Sequence, residues 1–221
     1  MILATQTEFE FFFELPLDQE QTGLYISIMN KTPRASSARK RIVETAERLF
    51  YAEGIRAVGI DRVIAEAGVA KMTLYNHFAS KDDLVLAVLK YREEQFDLYI
   101  KQRMMEHQSA GLKPLRAFFA ALKDWFECPD YRGCAFINAT SELADSNPAA
   151  TEFCAEHKRR FKQQLTDIII ESEGDQAAAV APAISVLVEG AIVTSVSEGN
   201  SEAAAIAEAA AFQLIAGVLS Q

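Results

Sequence analysis

Residues 58–81, VGIDRVIAEAGVAKMTLYNHFASK, constrain the fold of this chain more than any other stretch. Ile60, Val63 and Ile64 recur at three and four residues, which predicts a short helix over 60–67 with one buried face. Gly68 follows, and glycine tolerates the left-handed backbone that ends a helix. Val69 turns inward, and a second helix is expected over 71–78. Its surface carries Lys71, Thr73, Tyr75, Asn76 and His77, side chains that reach phosphate oxygens or base edges. Two short helices about a glycine turn, the second of them polar, make a helix-turn-helix, whose second helix fits the major groove of DNA. A plain packing hairpin shows the same pattern, so the surrounding chain has to decide.

Charge is the first guide. The 221 residues carry a formal net charge of −9, which argues against a nucleic-acid partner until its distribution is read. Residues 31–81 hold ten Lys or Arg against five Asp or Glu, whereas residues 82–221 hold twelve against twenty-one. A basic module on an acidic body suits a protein that meets phosphate with one face only. Apolar content of 50% with few Gly and Pro indicates a globular, helix-rich chain. No apolar run is expected to reach the length of a membrane span.

Residues 1–30 hold five acids and no Lys or Arg, and FEFFFELPL has no helical period. Without a basic start, a signal peptide is not expected. Two readings stand: a flexible or weakly strand-like arm, or a biological start at Met29. Residues 1–34 are therefore set apart as an arm. Lys31, Arg34, Arg39, Lys40 and Arg41 follow, with Ser36 or Ser37 placed to cap a first helix that runs to about Glu53. Ile42, Ala46, Leu49 and Phe50 give that helix one buried face. In the basic run, Arg39 and Arg41 are candidates for phosphate contact.

Over residues 39–84 the chain resembles the DNA-binding domain of the tetracycline-repressor (TetR) family. The residues that carry the resemblance are AERLFYAEG at the end of helix one, IAEAGV at the turn, and LYNHFASK. It implies an all-α protein of about nine helices. A DNA-binding head over 35–80 would sit on an effector-binding and dimerisation body over 81–221. It places Lys71 and Thr73 near base edges or phosphate, Tyr75 and His77 at phosphate, and Arg62 on a helix that faces the DNA backbone. Lys81 would reach phosphate from the start of helix four, with Asn76 on the same exposed surface. Helix four, capped by Ser80 and running to about His107, would link head to body.

In the body, Leu115, Phe118, Phe119, Leu122, Trp125 and Phe126 recur at helical spacing. The motif GCAFINA, after the loop 128–134, resembles a segment that lines the effector cavity in one group of these regulators. Phe96, Tyr99, Phe118, Phe119, Trp125, Phe136 and Phe153 are the apolar candidates for that cavity. Asn138, Ser141 and Glu142 are the polar groups that would orient a ligand. Plain core packing explains the same aromatic stripe. Residues 149–173 are expected as a long helix with a basic outer face of His157, Lys158, Arg159, Arg160 and Lys162. Residues 176–198 and 202–219 are apolar around most of their circumference, which a four-helix interface between two copies would bury.

Three cysteines, an odd number without a signal peptide, suit a reducing cytoplasm. Cys128 and Cys134 bracket a loop short enough to close a disulfide. Arg132 beside Cys134 would favour its thiolate and with it a redox or electrophile switch. Cys154 and His157 alone do not make a metal site, and no metal or cofactor is expected. The three His residues lie in no nucleophile motif and no phosphate loop occurs, so an enzyme is not expected. The reading is a cytoplasmic, homodimeric repressor that binds a palindromic double-stranded operator and is released by a small, largely apolar effector. The alternatives are a regulator switched through Cys134 and, with less support, an enzyme built on the helical body.

Overall fold

The computed structural model describes residues 37–220, so the expectations for the N-terminal arm and for a start at Met29 lie outside the described residues. The described chain is all-helical, with nine α-helices. The head consists of α1 (Ala38–Glu53), α2 (Ile60–Ala67) and α3 (Lys71–His77). Ser37 caps α1 by accepting the Lys40 amide at 3.3 Å. Gly68 closes α2 in the left-handed conformation, φ 62 and ψ 43. The Gly68 and Val69 amides bond back to Ala65 and Ile64, a glycine-dependent turn that sets the angle between the two helices. Ile42, Leu49, Val58, Val63 and Leu74 are almost completely buried and form the seam of the three helices. α3 ends at His77, one residue before the expected boundary, because Phe78 leaves the helix with φ −140 and turns its ring into the core.

The body begins with α4 (Lys81–Ser109), capped by Ser80 through the Asp83 amide at 3.1 Å. It packs on α1 and on α5 (Pro114–Phe126). The loop 127–134 leads into α6 (Ala135–Leu143), a 3₁₀ turn and α7 (Pro148–Glu173), whose first turn is capped by Asn147. Residues 175–180 form a 3₁₀ turn before α8 (Ala181–Glu198), and α9 (Glu202–Leu219) closes the chain. The helix expected over 176–198 therefore starts five residues later. Pro182 sits in the first turn, where its missing amide costs nothing. Phe118 and Phe119 of α5 lie at the centre of the core, 2% and 1% exposed, with their rings edge-on at 5.4 Å. Truncating either is expected to cost about 3–5 kcal/mol of stability.

One expectation is overturned. By length and composition alone, the segments Asp175–Glu198 and Glu202–Leu219 are long and apolar enough to cross a membrane. Single interior charges hid this in the sequence, because Glu189 and Glu208 interrupt runs of Ala, Val, Ile and Leu. Both charges tie the helices to the body: Glu189 pairs with Lys158 at 2.8 Å and Glu208 with Arg116 at 2.9 Å. Only 33% and 28% of the most apolar 18-residue stretches of the two segments is buried within one chain. Val186, Val193, Val196, Ile206, Leu214 and Leu219 stay exposed on them.

Candidate nucleic-acid interface and ligand cavities

On α3 the polar set predicted from sequence is presented to solvent. Lys71, Tyr75, Asn76 and His77 are exposed and Thr73 is half-buried. Lys71 makes one contact, to Asp61 of α2 at 3.2 Å, an exposed pair that phosphate readily replaces. Arg39 stacks over Phe78 at 5.2 Å, and the Arg41 amide bonds to Ser37 O at the helix start. Met72 stands between Lys71 and Thr73 with 71% of its surface exposed, though the sequence reading passed over it. An exposed thioether on a groove-reading helix is chemically suited to contact with a thymine methyl group.

Two expected phosphate contacts are already engaged inside the head. Arg62 forms a fork with both carboxylate oxygens of Glu53 and also bonds Glu66 at 2.9 Å. Arg48 reaches the same Glu66 at 2.6 Å. Hydrogen bonds from Arg48 and Arg62 hold the Glu66 carboxyl below its usual range. Lys81 donates to the carbonyls of Ile55 at 2.6 Å and Val58 at 2.7 Å, clasping the loop that joins α1 to α2. Burial lowers the Lys81 ammonium from its ordinary range, against the opposing pull of Glu142 and Asp82. The free phosphate-reaching lysine expected from sequence is thus a fastener in this structure, with one of its three protons left to offer.

In the body, Phe96, Trp125 and Phe136 come together around a cavity of about 20 Å³. Arg92, Cys134, His157 and Lys158 share its walls. The other aromatic candidates lie elsewhere. Phe118 and Phe119 are core, Phe153 packs under Arg160 at 5.4 Å, and the Tyr99 hydroxyl meets the Cys128 sulfur at 3.5 Å. Burial raises the Tyr99 hydroxyl well above its ordinary range. Ser141 is exposed and lines neither cavity, while Asn138 and Glu142 line the second, larger one.

His157 and Lys158 were expected on a solvated face, but the structure turns both inward. The His157 ring stacks on Phe136 at 3.5 Å, and its Nδ1 bonds Glu93 at 2.8 Å. Burial lowers the His157 pKa and outweighs the opposing hydrogen bond to Glu93 and the Glu93 charge. Burial also works against the Glu93 carboxylate, but Arg160 and His157 hold it below its usual range. Lys158 bonds both oxygens of Glu189 at 2.8 Å and approaches the Cys134 sulfur at 3.3 Å. Burial opposes its charge as well, and Cys134 and Glu189 raise it again above the ordinary value. The cation beside Cys134 is therefore Lys158. The Arg132 guanidinium instead bonds the Tyr131 carbonyl. Cys128 faces Tyr99 and the Asp124 carbonyl, so the two cysteines of the loop serve different neighbours.

The second cavity, about 120 Å³, lies where the head meets the body. Phe50, Tyr51 and Ile55 come from the head, Val88, Leu89 and Arg92 from α4, and Ala135, Ala139 and Glu142 from α6. The joint around it is strongly hydrogen-bonded. The Tyr51 hydroxyl donates to Gly133 O at 2.8 Å and accepts from the Arg132 amide at 2.9 Å. Arg92 pairs with Glu47 at 2.6 Å and stacks over Tyr51 at 3.9 Å. The Arg56 amide donates to Glu142 at 2.9 Å. On its other side the loop is tied to α8 by Tyr131, whose hydroxyl meets Ile192 O at 3.0 Å and Ser195 Oγ at 2.7 Å. Gly133, at φ 81, allows this close passage. A Cβ there would lie 2.9 Å from Val196.

Comparison with known proteins agrees with this architecture. Residues 42–88 match the family of bacterial regulatory proteins called tetR, and residues 112–210 match the C-terminal domain of LmrA/YxaF-like transcriptional regulators. The solved structure of SCO4454, a TetR-family transcriptional regulator from Streptomyces coelicolor, superposes with a TM-score of 0.70. It is 30% identical, over 82% of this chain and 95% of that one.

The chain belongs to the TetR family.

It is a DNA-binding transcriptional regulator with a helical ligand-binding body, and the family is not one of enzymes. The HTH-type transcriptional regulator LmrA of Bacillus subtilis is 26% identical over 174 residues, 74% of this chain and 89% of that protein. The HTH-type transcriptional activator FasR of Mycolicibacterium smegmatis is 30% identical over 132 residues, 58% of this chain and 59% of that protein. TetR-family membership therefore leaves the direction of regulation open.

Some signals for the misplaced residues were present in the sequence. Cys154, His157, Phe161, Leu165 and Ile169 recur at three and four residues and mark the inward face of α7. Reading the adjacent charges as one basic patch concealed that stripe. The Tyr51–Gly133 and Arg56–Glu142 links join residues more than eighty positions apart, and no local pattern encodes them.

Proposed function

We propose that this TetR-family chain acts in the cytoplasm as a homodimeric repressor of a palindromic operator and lets go when a small, largely apolar molecule binds its body. Lys71, Thr73, Tyr75, Asn76 and His77 of α3 meet the major groove and its phosphates, with Arg39 and Arg41 at the flank. The observation that carries the dimer is the apolar face of α8 and α9. Val186 and Ile206 are 71% and 67% exposed on this face, alongside Val193, Val196 and Leu214, and a clustered apolar surface of this kind marks a contact with another molecule. A second copy related by a two-fold axis covers it and places two heads on successive turns of DNA. The effector enters among Phe96, Trp125 and Phe136 by opening a cavity that is nearly closed here. The test is sedimentation: the wild type is expected to run as a dimer and Ile206→Glu as a folded monomer. A persistent Ile206→Glu dimer moves the interface elsewhere.

The Lys158 ammonium beside Cys134 supports a second reading, a switch operated by electrophiles. The sulfur adds to a ring carbon of a quinone, forming a carbon–sulfur bond, and the two quinone oxygens end as hydroxyls with the thiol proton and the displaced ring proton. Cys134→Ser is then expected to hold operator DNA in benzoquinone that releases the wild type. Equal release of both proteins contradicts this reading.

A further inference from the structure

The larger of these two cavities lies between head and body, outside the region where the sequence pointed to a ligand. We propose that this joint cavity is a ligand site in its own right, for a neutral, ring-sized molecule carrying one hydrogen-bond donor, of which phenol is the simplest example.

The joint cavity measures about 120 Å³, against about 20 Å³ in the body. An apolar cavity of about 150 Å³ accepts benzene, whereas one of about 20 Å³ holds a single water. Phe50, Ile55, Val88, Leu89 and Ala139 give one ring-shaped molecule apolar walls on several sides. The Glu142 carboxylate stands at the edge and already accepts the Arg56 amide at 2.9 Å. A carboxylate accepts about four hydrogen bonds, so it has capacity for a ligand hydroxyl.

The Arg92 guanidinium is matched by Glu47 at 2.6 Å and covered by Tyr51 at 3.9 Å. An anionic ligand would have to compete with Glu47 for that cation and would face Glu142 as well. A neutral donor avoids both costs. The walls also belong to two parts of the protein: α1 and its following loop on one side, α4 and α6 on the other. A molecule bound here touches both, so it fixes their separation directly, without acting through the body cavity.

The test is titration of phenol into the full chain, followed by amide chemical shifts. Millimolar binding is expected, with the largest shifts at Gly54, Ile55, Ala135 and Ala139. Ala139→Leu, which fills the cavity, is expected to weaken binding at least tenfold, and benzoate to bind at least tenfold more weakly than phenol. Ile192 of α8 also lines the body cavity, and Ile192→Phe, which fills it, is expected to leave phenol affinity unchanged. Thermal melts establish that the variants fold, and Ala139→Val replaces Ala139→Leu if the larger residue prevents folding. Shifts centred on Phe96, Phe136 and Ile192, unchanged binding by the filled variant, or no shift at all would overturn the proposal. Because the readout is the free chain, such a failure leaves the operator reading untouched.

Discussion

The outer face of α3 and the inner face of α7 carry similar side chains in opposite settings. On α3, Lys71, Tyr75, Asn76 and His77 stand in water, close to few partners. On α7, His157 is stacked at 3.5 Å on Phe136 and Lys158 is held by Glu189 and Cys134. Exposed groups of the first kind add little to stability and are available to a partner. Buried groups of the second kind are costly to disturb, because removing one leaves another without a hydrogen bond. The head is thus built to be read from outside, and the body to respond to what enters it. Between them, Tyr51 and Arg92 link the two, since Arg92 lines both cavities and covers the tyrosine.

Substitutions on the two faces should separate binding from stability. The larger effect is expected on α3. If α3 meets the operator as proposed, Tyr75→Ala should weaken operator binding roughly tenfold per half-site, with a shallower dependence on salt. Its melting temperature should stay close to that of the wild type, because the side chain is 44% exposed. A folded Tyr75→Ala protein with unaltered affinity and salt slope would remove α3 from the interface.

A smaller effect is expected on α7, and it depends on pH. His157 has a folded pKa below its unfolded value near 6.5, because burial disfavours the charged ring. In the unfolded chain it takes up a proton first as the pH falls. Its contribution is therefore complete above the unfolded value and lost as the pH drops through it toward the folded one. Glu93, Lys158 and Asp97 surround the ring and modify the charge it feels. Thermal melts at pH 7.5 and pH 5.5 should show a larger loss for the wild type than for His157→Gln. Equal losses would place the acid sensitivity elsewhere.

The contrast also explains what could be read in the sequence. The turn at Gly68, the caps at Ser37 and Ser80 and the surface of α3 depend on neighbours within a few residues, and they were legible. So was the all-helical class, because periodicity alone reports it. Partners were not. Lys81 matched a phosphate-reaching position, yet its ammonium bonds carbonyls 26 and 23 residues earlier in the chain. Phe118 and Phe96 look alike in a helical stripe, although one is fully packed and the other lines a cavity. Periodicity identifies an inward face but not whether space remains there. Glu142, expected to orient a ligand in the body, also accepts a hydrogen bond from the Arg56 amide of the head.

Two copies of α3 are proposed to act on one stretch of DNA. The most direct test is sedimentation of the chain on a duplex selected from random sequence. Two chains per duplex are expected, on half-sites whose centres lie about 34–36 Å apart. Ile206→Glu should lose most of the affinity while keeping its fold. One chain per duplex, with Ile206→Glu binding as tightly as the wild type, would contradict the account.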